Sequence, residues 1–371
     1  MHIIIGLNGG GAERMLKRLV ESHASDPQFK HCVISLTGVG EIGASLREGG
    51  VDVRALEMRS PWLAPLAFLR LWRALSAERE SIIQTWMYHA DLLGGLAAKL
   101  AGNHRIVWGV RSTHIIAGTS SLTALIRRMC ALLSRYVPEV IVCAAEASLR
   151  AHALVGYQRS KLVVIANGFD TAALGKSRER RSELRRASNW SDNEIVVGCV
   201  GRFNHYKDQE NFVRAAGILS KRFANVRFLM IGEGIDSNNT ELLGWIKATR
   251  QADRFKLLGH QSDVAGWLAA TDVFCLSSRS EAFPNVVGEA MGVGVPCVVT
   301  DVGDAALLVG DTGIVVPKED SSALAEGLAR MIQAPANVRR SLGERATQRI
   351  MIEFSMDRAR KRFEAIYSSL E

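Results

Sequence analysis

Residues 272–300 read DVFCLSSRSEAFPNVVGEAMGVGVPCVVT. The apolar run at 272–276 predicts a buried strand, the helical period at 286–293 a helix, and the run at 296–299 the next strand. A strand, a loop, a helix and a further strand make one unit of a parallel α/β sheet. Because ligands of such sheets bind at the carboxyl ends of strands, we expect the loop around Glu281 to carry chemistry.

The same alternation extends through the whole chain, which has 371 residues, enough for two domains. The further strands of the second half are predicted at 195–200, 226–231, 254–257 and 313–316. Those of the first half are predicted at 2–6, 31–36, 51–56, 81–85, 105–110, 139–143 and 162–165. We therefore predict an α/β protein of two doubly wound, Rossmann-like domains facing each other across a cleft. The domains are expected at residues 1–170 and 195–356, joined by a basic linker region of low hydrophobicity at 171–194.

Composition excludes several classes of protein. Hydrophobic residues make up 47% of the chain and charged residues 23%, as in ordinary globular proteins. The six cysteines form no C-x-x-C pair, so buried reduced thiols are expected rather than metal ligands. No apolar run reaches the roughly 18–20 residues that span a bilayer, and Met1–Gly6 lacks a preceding basic segment. These features predict a cytoplasmic protein.

Basic residues are concentrated in the first half of the chain. The net charge is +8, and residues 1–170 hold 19 Lys and Arg against 13 Asp and Glu. This asymmetry favours an anionic partner, either a phosphate compound or an anionic membrane surface. Aromatic residues are only 6% of the chain, and no nucleic-acid-binding motif is present, so no nucleic-acid partner is expected.

Two loops favour phosphate binding. Gly6–Glu13, GLNGGGAE, opens a helix with three glycines, which allow backbone N–H groups to approach a phosphate. It is neither a dinucleotide fingerprint nor a P-loop, and a plain tight turn is the alternative. Gly201–Asp208, GRFNHYKD, supplies the cations Arg202 and Lys207, which can neutralise a departing diphosphate. A solvated charged loop is the alternative there.

The third loop places Glu281 eight residues before Glu289. The first N–H groups of the helix, near Val286 and Val287, can bind an anion. Two carboxylates beside those donors suit a ligand that has both phosphates and hydroxyls. Two surface glutamates at a helix start are the alternative.

These motifs, with VIANGFD, LLGHQSDV and GIVVP in the same order, resemble glycosyltransferase family 4 across nearly the whole chain. The resemblance implies the GT-B fold and retaining sugar transfer from a nucleotide sugar, for bacterial surface polysaccharides. It implies that helix 357–371 crosses back onto the first domain. It also implies that no metal or other cofactor is required.

The resemblance further assigns roles to residues. Arg202 and Lys207 would hold the donor diphosphate, Glu281 would contact the transferred sugar, and Glu289 would bind the ribose. The remaining donor-binding residues would be Gly10, Gly11, His260, Phe283, Pro284, Asn285, Val286 and Val287. The first of these, Gly10 and Gly11, would meet the diphosphate from the other domain, and His260 would border the base.

The first domain departs more from the family pattern. A catalytic-site histidine is expected after the fourth or fifth strand, and both His89 and His114 fit. The sequence does not choose between them. Arg111 is a weaker candidate for contact with a charged acceptor, and a surface position is its alternative.

Two segments combine apolar periodicity with arginines. Ser120–Arg135 and Pro65–Arg73 both have the pattern of helices that lie on anionic bilayers. An ordinary amphipathic helix packed on its own sheet is the alternative for each.

We therefore predict a hexosyltransferase-type enzyme (EC 2.4) that uses a nucleotide sugar, with UDP favoured over GDP. The acceptor is expected to be a glycan, carried on a lipid, and the protein to be peripheral on the inner face of the plasma membrane. Alternatives are another GT-B enzyme, such as a sugar phosphorylase or a nucleotide-sugar epimerase, and a non-catalytic carbohydrate-binding protein.

Overall fold

A computed structural model describes residues 1–113 and 121–371. The chain divides into two compact units. Met1–Gly168 and Met356–Glu371 form the first, and Phe169–Ser355 forms the second. The sequence-predicted segment 357–371 thus belongs to the first unit.

The first unit is built on a seven-stranded parallel sheet with the order β3-β2-β1-β4-β5-β6-β7. Its strands are β1 (His2–Ile4), β2 (Cys32–Ser35), β3 (Asp52–Ala55), β4 (Ile83–Trp86), β5 (Ile106–Val110), β6 (Val140–Cys143) and β7 (Leu162–Val164). Its helices are α1 (Gly11–Ser22), α2 (Gly40–Glu48), α3 (Ala64–Ser76), α4 (Tyr88–Leu100), α5 (Ser121–Leu133), α6 (Glu146–Val155) and, from the end of the chain, α16 (Met356–Ser368).

Helices cover both faces of this sheet. One apolar cluster joins strand residues to α1, α2 and α16, for example through Leu16, Ile42 and Phe363. A second cluster joins the opposite side chains to α3, α4 and α5, for example through Leu71 and Cys130. The central strands β1, β4 and β5 are buried on both sides, whereas the edge strand β3 exposes Asp52 and Arg54.

The second unit has a six-stranded parallel sheet with the order β10-β9-β8-β11-β12-β13. Its strands are β8 (Ile195–Val200), β9 (Val226–Ile231), β10 (Phe255–Leu257), β11 (Val273–Leu276), β12 (Cys297–Thr300) and β13 (Ile314–Val316). Its helices are α7 (Thr171–Ser177), α8 (Arg181–Ala187), α9 (Gln209–Arg222), α10 (Thr240–Ala248), α11 (Val264–Ala269), α12 (Asn285–Gly292), α13 (Ala305–Val309), α14 (Ser321–Gln333) and α15 (Ala336–Glu353). Both sheets are doubly wound, and the α/β class predicted from the sequence is confirmed.

The segment 171–194, which the sequence analysis treats as a linker region, is structured. It forms α7 and α8, which pack on α11 and α12 of the second unit. Arg181 and Arg185 of its basic cluster bind Asp272 at 2.6 and 2.9 Å. These two arginines therefore anchor the segment to the sheet, while Lys176, Arg178 and Arg186 of the same cluster are exposed.

All six cysteines are free thiols, and five of them are buried. Within the described residues, no helix is both long and apolar enough to cross a bilayer.

Candidate functional site

The middle of the second sheet brings two of the predicted loops together. Strands β8 and β11 are hydrogen-bonded neighbours, and the order in which strands are added reverses between them. Loop 201–208 follows β8 and loop 277–284 follows β11, so both leave the sheet at the same carboxyl edge. Ligands of doubly wound sheets bind at such a switch point.

Lys207 and Glu281 form an ion pair at this point. Lys207 Nζ lies 2.6 Å from Glu281 Oε1, and the same oxygen accepts a hydrogen bond from Ser278 Oγ at 2.7 Å. The side chains are 27% and 13% exposed, so the pair is partly screened from water but open to it. The sequence proposed separate roles for these residues, and the structure brings them into direct contact.

The backbone at Lys207 is fixed from two sides. Asn204 Oδ1 accepts hydrogen bonds from the N–H groups of Tyr206 and Lys207, each at 3.0 Å. Ser277 Oγ donates to the carbonyl oxygen of Lys207 at 2.9 Å. These bonds tie the β8 loop to the β11 loop, and they limit where the ammonium group can reach.

A second ion pair, which the sequence analysis missed, locks the same loop. Arg279 Nε and Nη2 lie 2.8 and 3.0 Å from the two carboxylate oxygens of Asp208. Asp208 is buried, has φ of +50°, and caps α9 by accepting from the Asn211 N–H. Of the two contacts between Arg279 and Asp208, only the one from Nη2 is a hydrogen bond. An Asp before a helix signals a cap, but nothing in the sequence indicates that an arginine 71 residues away binds it.

Arg202 differs from Lys207 in having its side chain in solvent. Its guanidinium has no hydrogen-bond or ion-pair partner among residues 1–113 and 121–371. Its carbonyl oxygen accepts from Gln209 Nε2 at 3.0 Å, which anchors the backbone while the side chain stays available.

The loop that carries Glu281 is clamped by the turn after β12. Gly303 has φ of +55°, and a Cβ there would lie within contact distance of the carbonyl oxygens of Glu281 and Ala282. The N–H of Asp304 also donates to the Ala282 oxygen at 2.9 Å. Glycine is required for this close approach.

Helix α12 begins directly behind Glu281. Pro284 is its N-cap and supplies no side-chain hydrogen bond to the first turn, which starts at Asn285 and continues with the half-buried Val286. The N–H of Val287 is bonded to the Pro284 oxygen at 3.0 Å, so that amide is partly occupied. Glu289 lies one turn further on, buried at 9% exposure.

The Phe283 side chain packs away from this edge. Its ring contacts those of Phe169 and Phe354, with centroids 6.2 and 5.8 Å away, and it is buried. A Cβ on Gly288 would overlap the Phe169 ring, so α12 approaches this aromatic cluster closely. At Phe283, then, only the backbone remains as a candidate ligand contact.

His260 is exposed and follows β10, the edge strand two places from β8. The turn before it is held by a hydrogen bond from the Gly232 N–H to the Gly259 oxygen at 2.8 Å. The structure records no contact that joins His260 to Lys207 or Glu281 in the part of the chain that it describes.

In the first unit, Gly10 caps α1 and Gly11 is its first residue. The Glu13 carboxylate folds back over Gly10, where a Cβ would overlap its oxygens. An acidic group therefore lies where the sequence analysis expects an anion, and a phosphate would require Glu13 to move.

His89 lies half-buried in the first turn of α4, where burial lowers its pKa. Met87, just before the helix, has φ of +72°, a strained value for a non-glycine residue. Asp91 fixes this turn because its Oδ1 accepts from Thr85 Oγ1 at 2.5 Å and from the Gly109 N–H at 3.3 Å. Burial raises the pKa of Asp91 to about 8.

Arg111 is held inside the first unit. Its guanidinium lies 4.4 Å from the centre of the Trp86 ring, and Nη1 donates to Asn167 Oδ1 at 3.0 Å. These contacts favour a packing role over the surface position that the sequence left open. His114, the alternative to His89, lies outside the described residues.

A buried series of hydrogen-bonded polar side chains begins at Tyr88, next to His89, and the sequence does not predict it. Ser112 Oγ donates to Tyr88 Oη at 2.8 Å, Tyr88 lies 2.6 Å from His152 Nε2, and His152 Nδ1 lies 2.7 Å from the Ser148 oxygen. It joins the end of β5 to α4 and α6. The residues come from three separate segments, so no sequence pattern marks them.

Chemically, the second unit offers two cations, a helix N-terminus and two carboxylates at one sheet edge. Such a set binds phosphate groups and sugar hydroxyls together. No group of three His, Cys, Asp or Glu side chains arranged for a metal ion occurs among the described residues.

Fold and site together define a two-domain, doubly wound α/β protein of the GT-B class. Residues 9–173 match the family model described as Glycosyltransferase Family 4, and residues 194–334 match Glycosyl transferases group 1. These two matches identify the chain as a glycosyltransferase.

Two relatives show the level of similarity. N-acetyl-alpha-D-glucosaminyl L-malate synthase of Bacillus anthracis is 29% identical over 189 residues, which cover 50% of this chain and 48% of the relative. UDP-Gal:alpha-D-GlcNAc-diphosphoundecaprenol alpha-1,3-galactosyltransferase of Escherichia coli is 24% identical over 275 residues, covering 71% and 70%. The match thus spans about half the length of the former relative. Among solved structures, Anabaena HepE in complex with UDP and glucose has a TM-score of 0.85 at 23% identity, with both chains fully covered.

Proposed function

We propose that the protein transfers a sugar from a UDP-sugar to a glycan acceptor with retention of anomeric configuration. The carrying observation is the Lys207–Glu281 pair at the switch point, 2.6 Å long and open to solvent, with exposed Arg202 on the same loop as Lys207. A diphosphate entering this edge meets two cations, and the sugar attached to it meets a carboxylate.

In the proposed step, the bond between the anomeric carbon and the terminal diphosphate oxygen breaks, and its electron pair leaves with the diphosphate. The acceptor hydroxyl oxygen bonds to the same face of the anomeric carbon, and its proton passes to the departing phosphate oxygen. Lys207, Arg202 and the α12 N-terminus stabilise the charge that develops on the diphosphate. Glu281 holds a hydroxyl of the transferred sugar.

The remaining roles follow from position. Glu289 accepts from the ribose hydroxyls, and the backbone of 283–287 contacts sugar and phosphate. His260 borders the base. In the first unit, we propose phosphate binding by the backbone of Gly10 and Gly11 once Glu13 has moved aside.

On the acceptor side we retain His89, with His114 as the alternative, and Arg111 acts by holding the end of β5. Side-chain cations supply the charge stabilisation that a divalent ion would otherwise provide, so we propose that transfer requires neither a metal nor another cofactor.

Names of relatives support a lipid-linked acceptor. The E. coli relative is named for transfer from UDP-Gal to GlcNAc-diphosphoundecaprenol, and another, CapM of Staphylococcus aureus, for capsular polysaccharide biosynthesis. HepE was crystallised with UDP-glucose. We propose a role in assembling a bacterial surface polysaccharide, in the cytoplasm at the inner face of the plasma membrane.

The test is thermal unfolding with UDP, GDP, ADP and dTDP in excess EDTA. At 100 times Kd, a nucleotide that binds the folded state adds about 2.7 kcal/mol, or roughly 3–4 °C in Tm for a chain of 371 residues that unfolds as one unit. We expect UDP to give this shift, Glu289→Ala to remove it, and the exposed control Glu344→Ala to keep it.

Three results would contradict the proposal. A shift with inorganic phosphate or a sugar phosphate, but with no nucleotide, would indicate a phosphorylase. Isomerisation of the donor without an acceptor would indicate an epimerase. Binding of a nucleotide sugar that is neither transferred nor hydrolysed would indicate a non-catalytic protein.

A further inference from the structure

Helix α5 presents bulky apolar residues to solvent as well as to the sheet. Its outward stripe holds Leu125 and Leu132, which are 54% and 74% exposed, and α5 is followed by the exposed Tyr136. The inward side buries Ile126, Cys130 and Ala131, together with Arg127. An amphipathic helix that only covered its own sheet would have a polar outer side, whereas α5 is apolar on both sides.

Helix α3 and the turn before it show the same orientation. Trp62 is 91% exposed, and Leu66, Leu69 and Trp72 also point outward, while Leu71 packs inward. Exposed apolar side chains scattered singly are ordinary, but two neighbouring stripes need an explanation.

The two stripes lie in one layer. Helix α4 packs against both α3 and α5, and the inner sides of all three helices share one apolar cluster on the same face of the sheet. We call the outer surfaces of α3 and α5, together with Trp62 and Tyr136, the α3–α5 face.

The charge on this face has one sign. Arg70 and Arg73 are exposed on α3, and Arg128 on α5, with Arg135 just after it. Neither α3 nor α5 contains an Asp or Glu, as their sequences APLAFLRLWRALS and SLTALIRRMCALL show. The cations among the apolar residues therefore lack acidic neighbours on their own helices.

We propose that the α3–α5 face docks on the surface of an anionic lipid bilayer. Leucines would enter the acyl boundary, Trp62, Trp72 and Tyr136 would lie at the headgroup level, and the arginines would pair with lipid phosphates. An acidic protein surface would satisfy the arginines but not the exposed apolar stripe of each helix. The purpose of docking, access to a lipid-linked acceptor, rests on the proposed function, whereas docking itself does not.

The test is flotation of the full chain with vesicles, without any sugar donor. One set is phosphatidylcholine alone, and the other contains about one third phosphatidylglycerol. We expect at least about tenfold more protein bound to the anionic vesicles. Trp62→Ser/Leu125→Ser/Leu132→Ser should lower that binding at least about tenfold, and Arg128→Glu/Arg135→Glu should abolish the preference for anionic lipid.

Matched controls alter equally exposed residues elsewhere. Leu154→Ser/Leu307→Ser/Met351→Ser and Arg150→Glu/Arg340→Glu should bind vesicles as the wild type does. All changed side chains are exposed, so folding is preserved, and unchanged thermal unfolding verifies it.

Equal vesicle binding by the face variants and the wild type would overturn the proposal. So would a wild type that ignores both vesicle types but forms a dimer that the apolar face variant cannot form, because a second copy would then cover the face. Hydrolysis of a nucleotide sugar in solution separates the two proposals, since the face variants should retain it.

Discussion

Replacing Lys207 with alanine removes the cation that pairs with Glu281 at the switch point, whereas the hydrogen bond from Ser278 Oγ to Glu281 is retained. We expect a small loss of stability and a large loss of turnover. The two effects differ because the ion pair is partly exposed to water in the free protein, while the lysine faces a diphosphate during transfer.

The magnitudes follow from the geometry. A side-chain pair at 27% and 13% exposure lies between surface pairs, worth up to about 1 kcal/mol, and buried pairs that cost about 3–5 kcal/mol when broken. We therefore expect a loss of about 1–2 kcal/mol in the free energy of unfolding, or roughly 1–3 °C in Tm. A cation about 4 Å from a phosphate charge contributes about 4 kcal/mol at an effective dielectric constant near 20, so kcat should fall roughly 10²–10³-fold.

The assay measures UDP release from a UDP-sugar and thermal unfolding on the same samples. Lys221→Ala is the control, since Lys221 is exposed on α9. Glu281→Gln should also lower turnover. The double variant should lose less transition-state stabilisation than the sum of the losses in the two single variants, because the two groups act as a unit.

Turnover by Lys207→Ala within about threefold of the wild type would refute the reasoning. The Lys207–Glu281 pair would then be a structural tie, and the diphosphate would bind elsewhere.

Further predictions concern the support of the site and the stability of the chain. Arg279→Lys removes the guanidinium that bonds Asp208 through Nη2 and lies against its second oxygen, so kcat/KM for UDP release should fall about tenfold, while thermal unfolding shifts by less than about 5 °C. Burial lowers the pKa of His31 to about 4. Below about pH 6.5, His31 binds a proton in the unfolded chain but stays neutral in the folded chain. The free energy of unfolding should therefore fall as the pH drops from 6.5 to 4. In urea titrations, this fall should be shallower for His31→Gln than for the wild type. Gly232→Ala places a Cβ against the Gly201 carbonyl and should lower the free energy of unfolding by about 2–4 kcal/mol. Gly244 lies on α10, where a Cβ meets open space, so Gly244→Ala should raise the free energy of unfolding by about 0.5–1 kcal/mol in the same titrations.

Strands and most helices were predictable because their signal is local. Runs such as 195–200 and 226–231 are buried on both faces and therefore stay apolar and β-branched. The sequence does not predict helix α2, because its buried side holds only two large apolar residues, Ile42 and Leu46, and a glycine. Helices α7 and α8 were missed for the same reason, because most of their length is polar.

The candidate site was predictable as a set of loops but not as a set of contacts. The topology implies that the loops after β8 and β11 meet, yet the Lys207–Glu281 bond joins residues 74 apart. The position of Glu13 over Gly10 depends on one side-chain rotamer, which no spacing encodes. Periodicity also does not predict that α5 has an exposed apolar stripe. The period shows that an apolar stripe exists but not which side of the helix faces the sheet.

The most direct measurement of the central claim is proton NMR of the sugar first released when the protein slowly hydrolyses UDP-hexoses in excess EDTA. Water then replaces the acceptor, so the anomer can be observed without knowing the natural acceptor. We predict release of UDP together with the α-anomer before mutarotation, and loss of both in Lys207→Ala. First release of the β-anomer, or no cleavage of any UDP-, GDP-, ADP- or dTDP-sugar, would contradict retaining transfer from a nucleotide sugar.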